Sequence, residues 1–126
     1  MYTFTIKTKP VSVNARYMIS RGRNILSTKY RNAKEAISWE IASQFKGKML
    51  TEEGIALNIL VYYSGRCPDI DAYEKLLLDS MTGIVYKDDG LIDEKHTFRT
   101  KVEDNPYIEI QVCRHPLLFT YEIFSQ

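Results

Sequence analysis

The chain lacks any run of 18 apolar residues, the length needed to carry a helix through a bilayer, so no membrane span is expected. It also lacks the basic-then-apolar opening of a secretory signal, because Tyr2, Phe4 and Ile6 alternate at once with Thr3, Thr5 and Lys7. The expected compartment is the cytoplasm. Cysteine is scarce: Cys67 and Cys113 are the only two, and free thiols in a reducing setting are expected. With His96 and His115 they make four soft-metal candidates, but no C-x₂-C or H-x₃₋₅-H pair spaces them for zinc. The G-x-S-x-G elbow, the P-loop and the dinucleotide fingerprint are absent too, which removes the nucleophile-elbow hydrolases and any nucleotide cofactor. Excess charge is missing as well. Seventeen Lys and Arg against sixteen Asp and Glu leave +1, and bulk charge of that size does not hold a nucleic acid.

What is present divides unevenly. Residues 1–50 carry ten bases against two acids, and residues 51–126 carry seven against fourteen. A basic front and an acidic back point toward phosphate partners. The 126 residues leave room for one compact domain and not two, with a core that needs no staples.

Hydrophobic period sets the expected elements. Residues 2–8 alternate as a half-buried strand ended by Pro10, and residues 10–27, with Asn14, Arg16, Arg21, Gly22 and Arg23, read as a long irregular loop. Ser27 or Thr28 can cap a helix over about 29–46, whose Tyr30, Ala33, Ile37, Ile41 and Phe45 share one stripe before Gly47. Trp39 lies off that stripe, open to contact with a partner or a neighbouring element, and plain partial burial is its expected state. Residues 55–63 are apolar on both faces, hence a central strand. A helix over about 71–81 stops at Gly83, a loop spans 84–90, and strands 92–102 and 107–113 flank Asn105-Pro106 as a hairpin. The order β-α-β-α-β-β predicts an α+β, two-layer domain with helices on a mixed sheet. Past Pro116 the tail is apolar (Leu117, Leu118, Phe119, Tyr121, Ile123, Phe124), suited to extend the fold or to dock on a second subunit.

The sharpest cluster is Pro68-Asp69-Ile70-Asp71-Ala72-Tyr73-Glu74-Lys75, followed by Asp79 and Lys87-Asp88-Asp89-Gly90. In an extended stretch Asp69 and Asp71 would point the same way, and Lys75 would fall on the face of Asp71 once a helix begins. Asp88 or Asp89 could add a third carboxylate. All-oxygen donors suit Mg²⁺ or Mn²⁺ bound together with a substrate phosphate, and the lysine adds charge where an anion develops. Plainer roles compete: Asp71 with Glu74 as a helix cap, Lys75 with Asp79 as an i,i+4 ion pair, Asp88-Asp89-Gly90 as a turn. Arg16, Arg21 and Arg23 fit a solvated loop face or, with Tyr17 among them, a phosphate-tracking loop.

The run from Cys67 to Ile92, CPDIDAYEKLLLDSMTGIVYKDDGLI, resembles the signature of RusA-type Holliday junction resolvases, P-D-x-D-N-x-x-K followed by an acidic pair. Lys9 to Tyr17, KPVSVNARY, is similar to the P-x-S-x-N-x-R-Y stretch of the same family, so the likeness covers about residues 2–113. It implies a metal-dependent endodeoxyribonuclease that acts as a homodimer on four-way DNA junctions and nicks two strands symmetrically. It further implies that Asp69, Asp71 and Asp89 hold Mg²⁺, with Mn²⁺ as a substitute, and that Lys75 completes the catalytic set. Asp79 and Asp88 then support the site, and Asn14, Arg16, Tyr17, Arg21, Arg23, Lys29 and Arg31 face DNA. Ala72 stands where the family usually has Asn, an amide able to orient a carboxylate or phosphate. That departure opens a second reading, a non-catalytic DNA-binding protein on the same scaffold. A third is a nuclease for other branched DNA or for RNA.

Overall fold

The computed structural model describes residues 1–15, 17–20 and 23–116. Its elements run β1 (Tyr2–Ile6), a 3-10 turn (Val13–Ala15), β2 (Tyr17–Ser20), β3 (Arg23–Leu26), α1 (Thr28–Gln44), β4 (Ile55–Tyr63), α2 (Glu74–Met81), a second 3-10 turn (Asp89–Leu91), β5 (Ile92–Lys101) and β6 (Tyr107–Arg114). Four strands form one mixed sheet in the order β1-β6-β4-β5, and β2 pairs with β3 in a separate ribbon. The architecture is the expected α+β arrangement.

Apolarity on both faces does place β4 at the centre. It pairs antiparallel with β6, Ile59 opposite Ile110, and parallel with β5, Ile59 opposite Thr97. The expected hairpin of the last two strands is therefore wrong. β5 and β6 flank β4 instead of each other, because a strand buried on two faces needs a neighbour on each side. The segment 102–106 crosses the end of β4, and the Val102 N–H donates to Tyr63 O at 2.7 Å. A second correction concerns residues 10–27, expected as irregular loop: Tyr17 pairs with Leu26 and Ser20 with Arg23 in an antiparallel ribbon. Strands of four residues are too short for alternation to declare itself.

The core forms where alternate residues of the sheet (Phe4, Ile6, Ile55, Leu57, Ile59, Ile108, Ile110, Val112) meet Tyr30, Ile37 and Ile41 of α1 and Leu76, Leu77 and Met81 of α2. Burying one such side chain stabilises by roughly 1.5–3 kcal/mol. This matters most for α2, whose eight residues fall short of the ~12–15 that an isolated helix needs. Packing, not propensity, holds it.

Polar side chains of α1 close the outer edge of β1. Gln44 accepts from Thr5 N–H and donates to Thr5 O, both at 2.8 Å, while the Glu40 carboxylate accepts from the N–H groups of Lys7 and Thr8 at 2.7 and 3.0 Å and from the Thr8 hydroxyl. An open strand edge is thereby denied to other chains. Gly47, just past α1, is required by close approach, since a Cβ there would run into the Tyr2 ring. Trp39 departs from the partial burial expected of it: it is 73% exposed on the outer side of α1, with no core element beneath it. The apolar tail lies outside the described residues from position 117 onward. No helix among the described residues is long and apolar enough to cross a membrane.

Candidate active site

The acidic segment follows β4 and is pinned by backbone bonds from three directions. An Arg99 Nη1 on β5 donates to Pro68 O at 2.7 Å. Within the segment, Ala72 N–H donates to Asp69 O at 3.1 Å, so the chain turns here rather than running extended. From the front of the chain, Val13 N–H donates to Ala72 O at 2.9 Å. The same 3-10 turn is tied to α1, because the Ser27 hydroxyl donates to Ala15 O at 2.8 Å while accepting from Tyr30 N–H at 3.1 Å as the helix cap. Two stretches singled out separately in the sequence, 9–17 and 67–92, thus meet through main-chain groups. Ala72 is buried; its C=O makes that junction while its N–H closes the turn within the acidic segment.

Asp69 and Asp71 are exposed, and Asp89 is half-buried. No described hydrogen bond or ion pair engages any of the three carboxylates. α2 begins at Glu74 with Tyr73 at its N-cap and no side-chain cap, so the capping role open to Asp71 is not the one it takes. Glu74 reaches away instead, accepting from Lys95 Nζ at 2.8 Å and Thr97 Oγ1 at 2.9 Å on β5. The acidic pair divides its labour: Asp88 caps the second 3-10 turn by accepting from Gly90 N–H at 3.2 Å, and Asp89 is left free. Asp89 borders a depression of about 260 Å³ with Leu78, Ile92 and Lys95. The donor chemistry, carboxylate oxygen without a competing partner, fits a hard cation. As they stand, though, no three of the described Asp, Glu, His and Cys residues are grouped closely enough to share one ion.

Lys75 pairs with Asp79 one turn along, Nζ to Oδ1 at 3.2 Å, so the plain i,i+4 reading of this pair holds. Asp79 also accepts from the Tyr30 hydroxyl at 3.1 Å, which locks the lysine's partner to α1. The two histidines share one acid: Glu94 meets His96 Nε2 at 2.6 Å and His115 Nδ1 at 2.7 Å. Both thiols are free, Cys67 exposed and Cys113 half-buried, and burial pushes the Cys113 thiol up.

Of the residues expected to face DNA, Asn14, Lys29 and Arg31 are exposed. Lys29 and Arg31 sit in the first turn of α1, and Asn14 is in the 3-10 turn tied to that helix end. Tyr17 and Arg23 lie on the β2–β3 ribbon. Arg16 and Arg21 fall outside the described residues.

Sequence reasoning missed a cleft of about 410 Å³ beside Pro68. Lys7, Lys9 and Arg66 supply its charge, and Tyr62, Tyr63, Tyr73 and Tyr107 its aromatic surface. In sequence these residues fall on separate segments: Lys7 on the first strand, Lys9 in the stretch after it, Tyr62, Tyr63 and Tyr107 on strands and Tyr73 in the expected helix over 71–81. Only the sheet order, which sets the start of β6 against the ends of β4 and β1, brings them together. Tyr62 and Tyr107 stack with ring centres 4.6 Å apart and planes at 22°. Burial, then Tyr107 and the Glu109 carboxylate, raises the Tyr62 hydroxyl above its ordinary value, and burial alone raises that of Tyr73.

No curated protein matches the chain. A family model does match: that of endodeoxyribonuclease RusA, over residues 7–113, a span that takes in the pinned acidic segment, the turn tied to it, both α-helices and strands β4 and β5 of the main sheet, and the chain belongs to that family.

Proposed function

We propose that this protein is a cytoplasmic, single-domain nuclease that resolves four-way DNA junctions by paired symmetric nicks, acts as a homodimer and depends on Mg²⁺, which Mn²⁺ can replace. The observation that carries the proposal is that three carboxylates, Asp69, Asp71 and Asp89, have no hydrogen-bond or ion-pair partner among the described residues, in a chain that belongs to the RusA endodeoxyribonucleases. A carboxylate with neither donor nor cation gives the fold little, and three of them suit a site that recruits its own cation. Asp69, Asp71 and Asp89 are the residues proposed to hold the metal, which would have to draw them closer than they stand in this structure. When bound, it supplies charge against the phosphodiester and a water of lowered pKa.

The chain's own groups have separate tasks. Lys75, held toward Asp79 at rest, is placed at the start of α2 to meet the scissile phosphate. Asp79 positions it and is itself fixed by Tyr30. Asn14, Lys29 and Arg31, with Tyr17 and Arg23 of the ribbon and, from the sequence, Arg16 and Arg21, are assigned to the DNA backbone. A two-fold dimer presents two such sites at a fixed separation, as a junction presents two scissile strands.

Asp71→Asn is expected to abolish nicking of a synthetic four-way junction in Mg²⁺ while leaving junction retardation on a gel within about twofold, since one neutralised carboxylate hardly alters phosphate contacts. Wild-type cutting by this variant would overturn the site assignment. Ala72 favours a second reading. Its buried methyl stands where the family's amide would be, and a protein that retards junctions but never nicks them with Mg²⁺ or Mn²⁺ would be a binding protein on this scaffold.

A further inference from the structure

The cleft at the ends of β1 and β4 adjoins the acidic segment but has no part in holding a metal. Among its described lining residues are three cations, Lys7, Lys9 and Arg66, and no acid. All three cations are exposed, and none has an ion-pair partner among the described residues. The tyrosines are half-buried, each presenting part of a ring to the cleft. The cleft is also continuous with the nuclease site. Pro68, which lines it, directly precedes Asp69, and Tyr73, which lines it too, directly precedes α2, whose second residue is Lys75.

Charge and ring chemistry together select the occupant. Unpaired cations favour an anionic chain, and tyrosine faces favour flat aromatic groups. A duplex hides its base faces inside the stack, so stacking on tyrosine is open only to a nucleotide that has left its pair. An opened branch point supplies such nucleotides. We infer that the cleft binds an unpaired nucleotide of the DNA strand beside the scissile phosphate, its base on the Tyr107 side and its phosphate near Lys7, Lys9 and Arg66. This rests on the nuclease reading for its substrate, but the binding itself does not require cleavage.

The test uses the full chain and a labelled pentathymidylate, with binding followed by fluorescence anisotropy at low salt. Tyr107→Ala should weaken binding by roughly five- to a hundredfold, the range for loss of one stacked base, and Tyr107→Phe should restore it to within about twofold because the ring face is kept. Should Tyr107→Ala fail to fold by circular dichroism, Arg66→Ala, on an exposed loop, should weaken binding about three- to tenfold and flatten its salt dependence. A blunt duplex should compete less well than the single strand per nucleotide. A junction carrying 5-iododeoxyuridine at the branch point should photocross-link to Tyr63, Tyr73 or Tyr107.

Unchanged binding by the folded alanine variants overturns the inference. Equal competition by duplex, displacement by an acidic peptide, or cross-links confined to other surfaces does the same. Nicking is scored separately. Intact nicking without single-strand binding sinks the cleft and spares the nuclease, while pentathymidylate binding without nicking spares the cleft and sinks the nuclease.

Discussion

Asp88 and Asp89 are adjacent and chemically identical, yet only one accepts a backbone bond in its own turn, so the turn rather than the residue type decides which remains free for a ligand. Tyr86 shows the opposite situation, a polar group committed wholly to the fold. It is fully buried, and its hydroxyl donates to Leu78 O at 2.8 Å. Burial, and then the nearby carboxylates of Asp89, Asp79 and Asp88, push its ionisation well above the ordinary value of 10.0. The sign follows from linkage. Below that ordinary value both folded and unfolded chains keep the proton, and stability is intact. Above it the unfolded chain loses the proton while the folded chain keeps it, so stability falls by up to about 1.4 kcal/mol per pH unit until the folded group titrates. Urea midpoints between pH 8 and 11 should record this fall, and Tyr86→Phe should flatten it, the remainder coming from Tyr62, Tyr63, Tyr73 and Cys113, which shift the same way. Below pH 9 the substitution should cost only about 0.5–1.5 kcal/mol, because Leu78 O still accepts from Thr82 N–H and its hydroxyl. A midpoint of Tyr86→Phe that tracks wild type through pH 11 would show that the buried hydroxyl is not the alkaline-sensitive group.

Helix α1 carries its charges against its own dipole. The first turn has no acid and the last turn no base, while Lys29 and Arg31 stand at the end where unsatisfied N–H groups already make the potential positive. That arrangement weakens the helix and concentrates attraction for phosphate, a local rule broken at a place where DNA is proposed to bind. Lys29→Glu should accordingly raise unfolding free energy by about 0.5–1 kcal/mol while lowering junction affinity; a variant that gained stability and kept full affinity would remove this helix end from the interface. The helix was legible in the sequence because seventeen residues give its apolar stripe several turns to repeat, and β4 because apolarity on both faces leaves a strand few places but the middle of a sheet. The start of α2 was not legible. Asp71 followed by Glu74 has the composition of a cap, but Glu74 finds stronger partners across the sheet in Lys95 and Thr97, and a tertiary contact outweighs a local propensity. The same holds for β5 and β6, where a short link around Asn105 suggested a hairpin and the demand of β4 for two neighbours overrode it. At the candidate site, the sequence names Asp69, Asp71 and Asp89 but not their spacing, because they lie on segments separated in the chain, and no three of the described Asp, Glu, His and Cys residues are grouped closely enough to share one ion.

For the molecule as a whole, a net charge of +1 hides a division that the fold preserves. The basic front half supplies β1, the first 3-10 turn, the ribbon and α1, and the acidic back half supplies the segment from Asp69 to Asp89. Because Val13 N–H is bonded to Ala72 O, the two halves touch at the proposed site instead of lying at opposite ends. A surface that attracts phosphate is thus fixed beside carboxylates that repel it. DNA affinity should then be led by cations that neutralise individual phosphates, and the logarithm of the association constant should fall linearly with the logarithm of salt, by roughly 0.9 for each phosphate neutralised on duplex arms. Junction binding by the nicking-deficient Asp71→Asn chain, measured between 50 and 200 mM salt, should show such a slope. Replacing Lys29 and Arg31 together by alanine should reduce its magnitude by about 1.5–2, with no loss and a small gain in melting temperature, because both side chains are exposed and both charges oppose the helix dipole. A slope that is flat in the parent chain would mean that junctions are held by contacts other than phosphate, and the charge division would then have no role in recognition. A steep parent slope left unaltered by the double substitution would keep the phosphate-led mechanism and move it off the N-terminal end of α1.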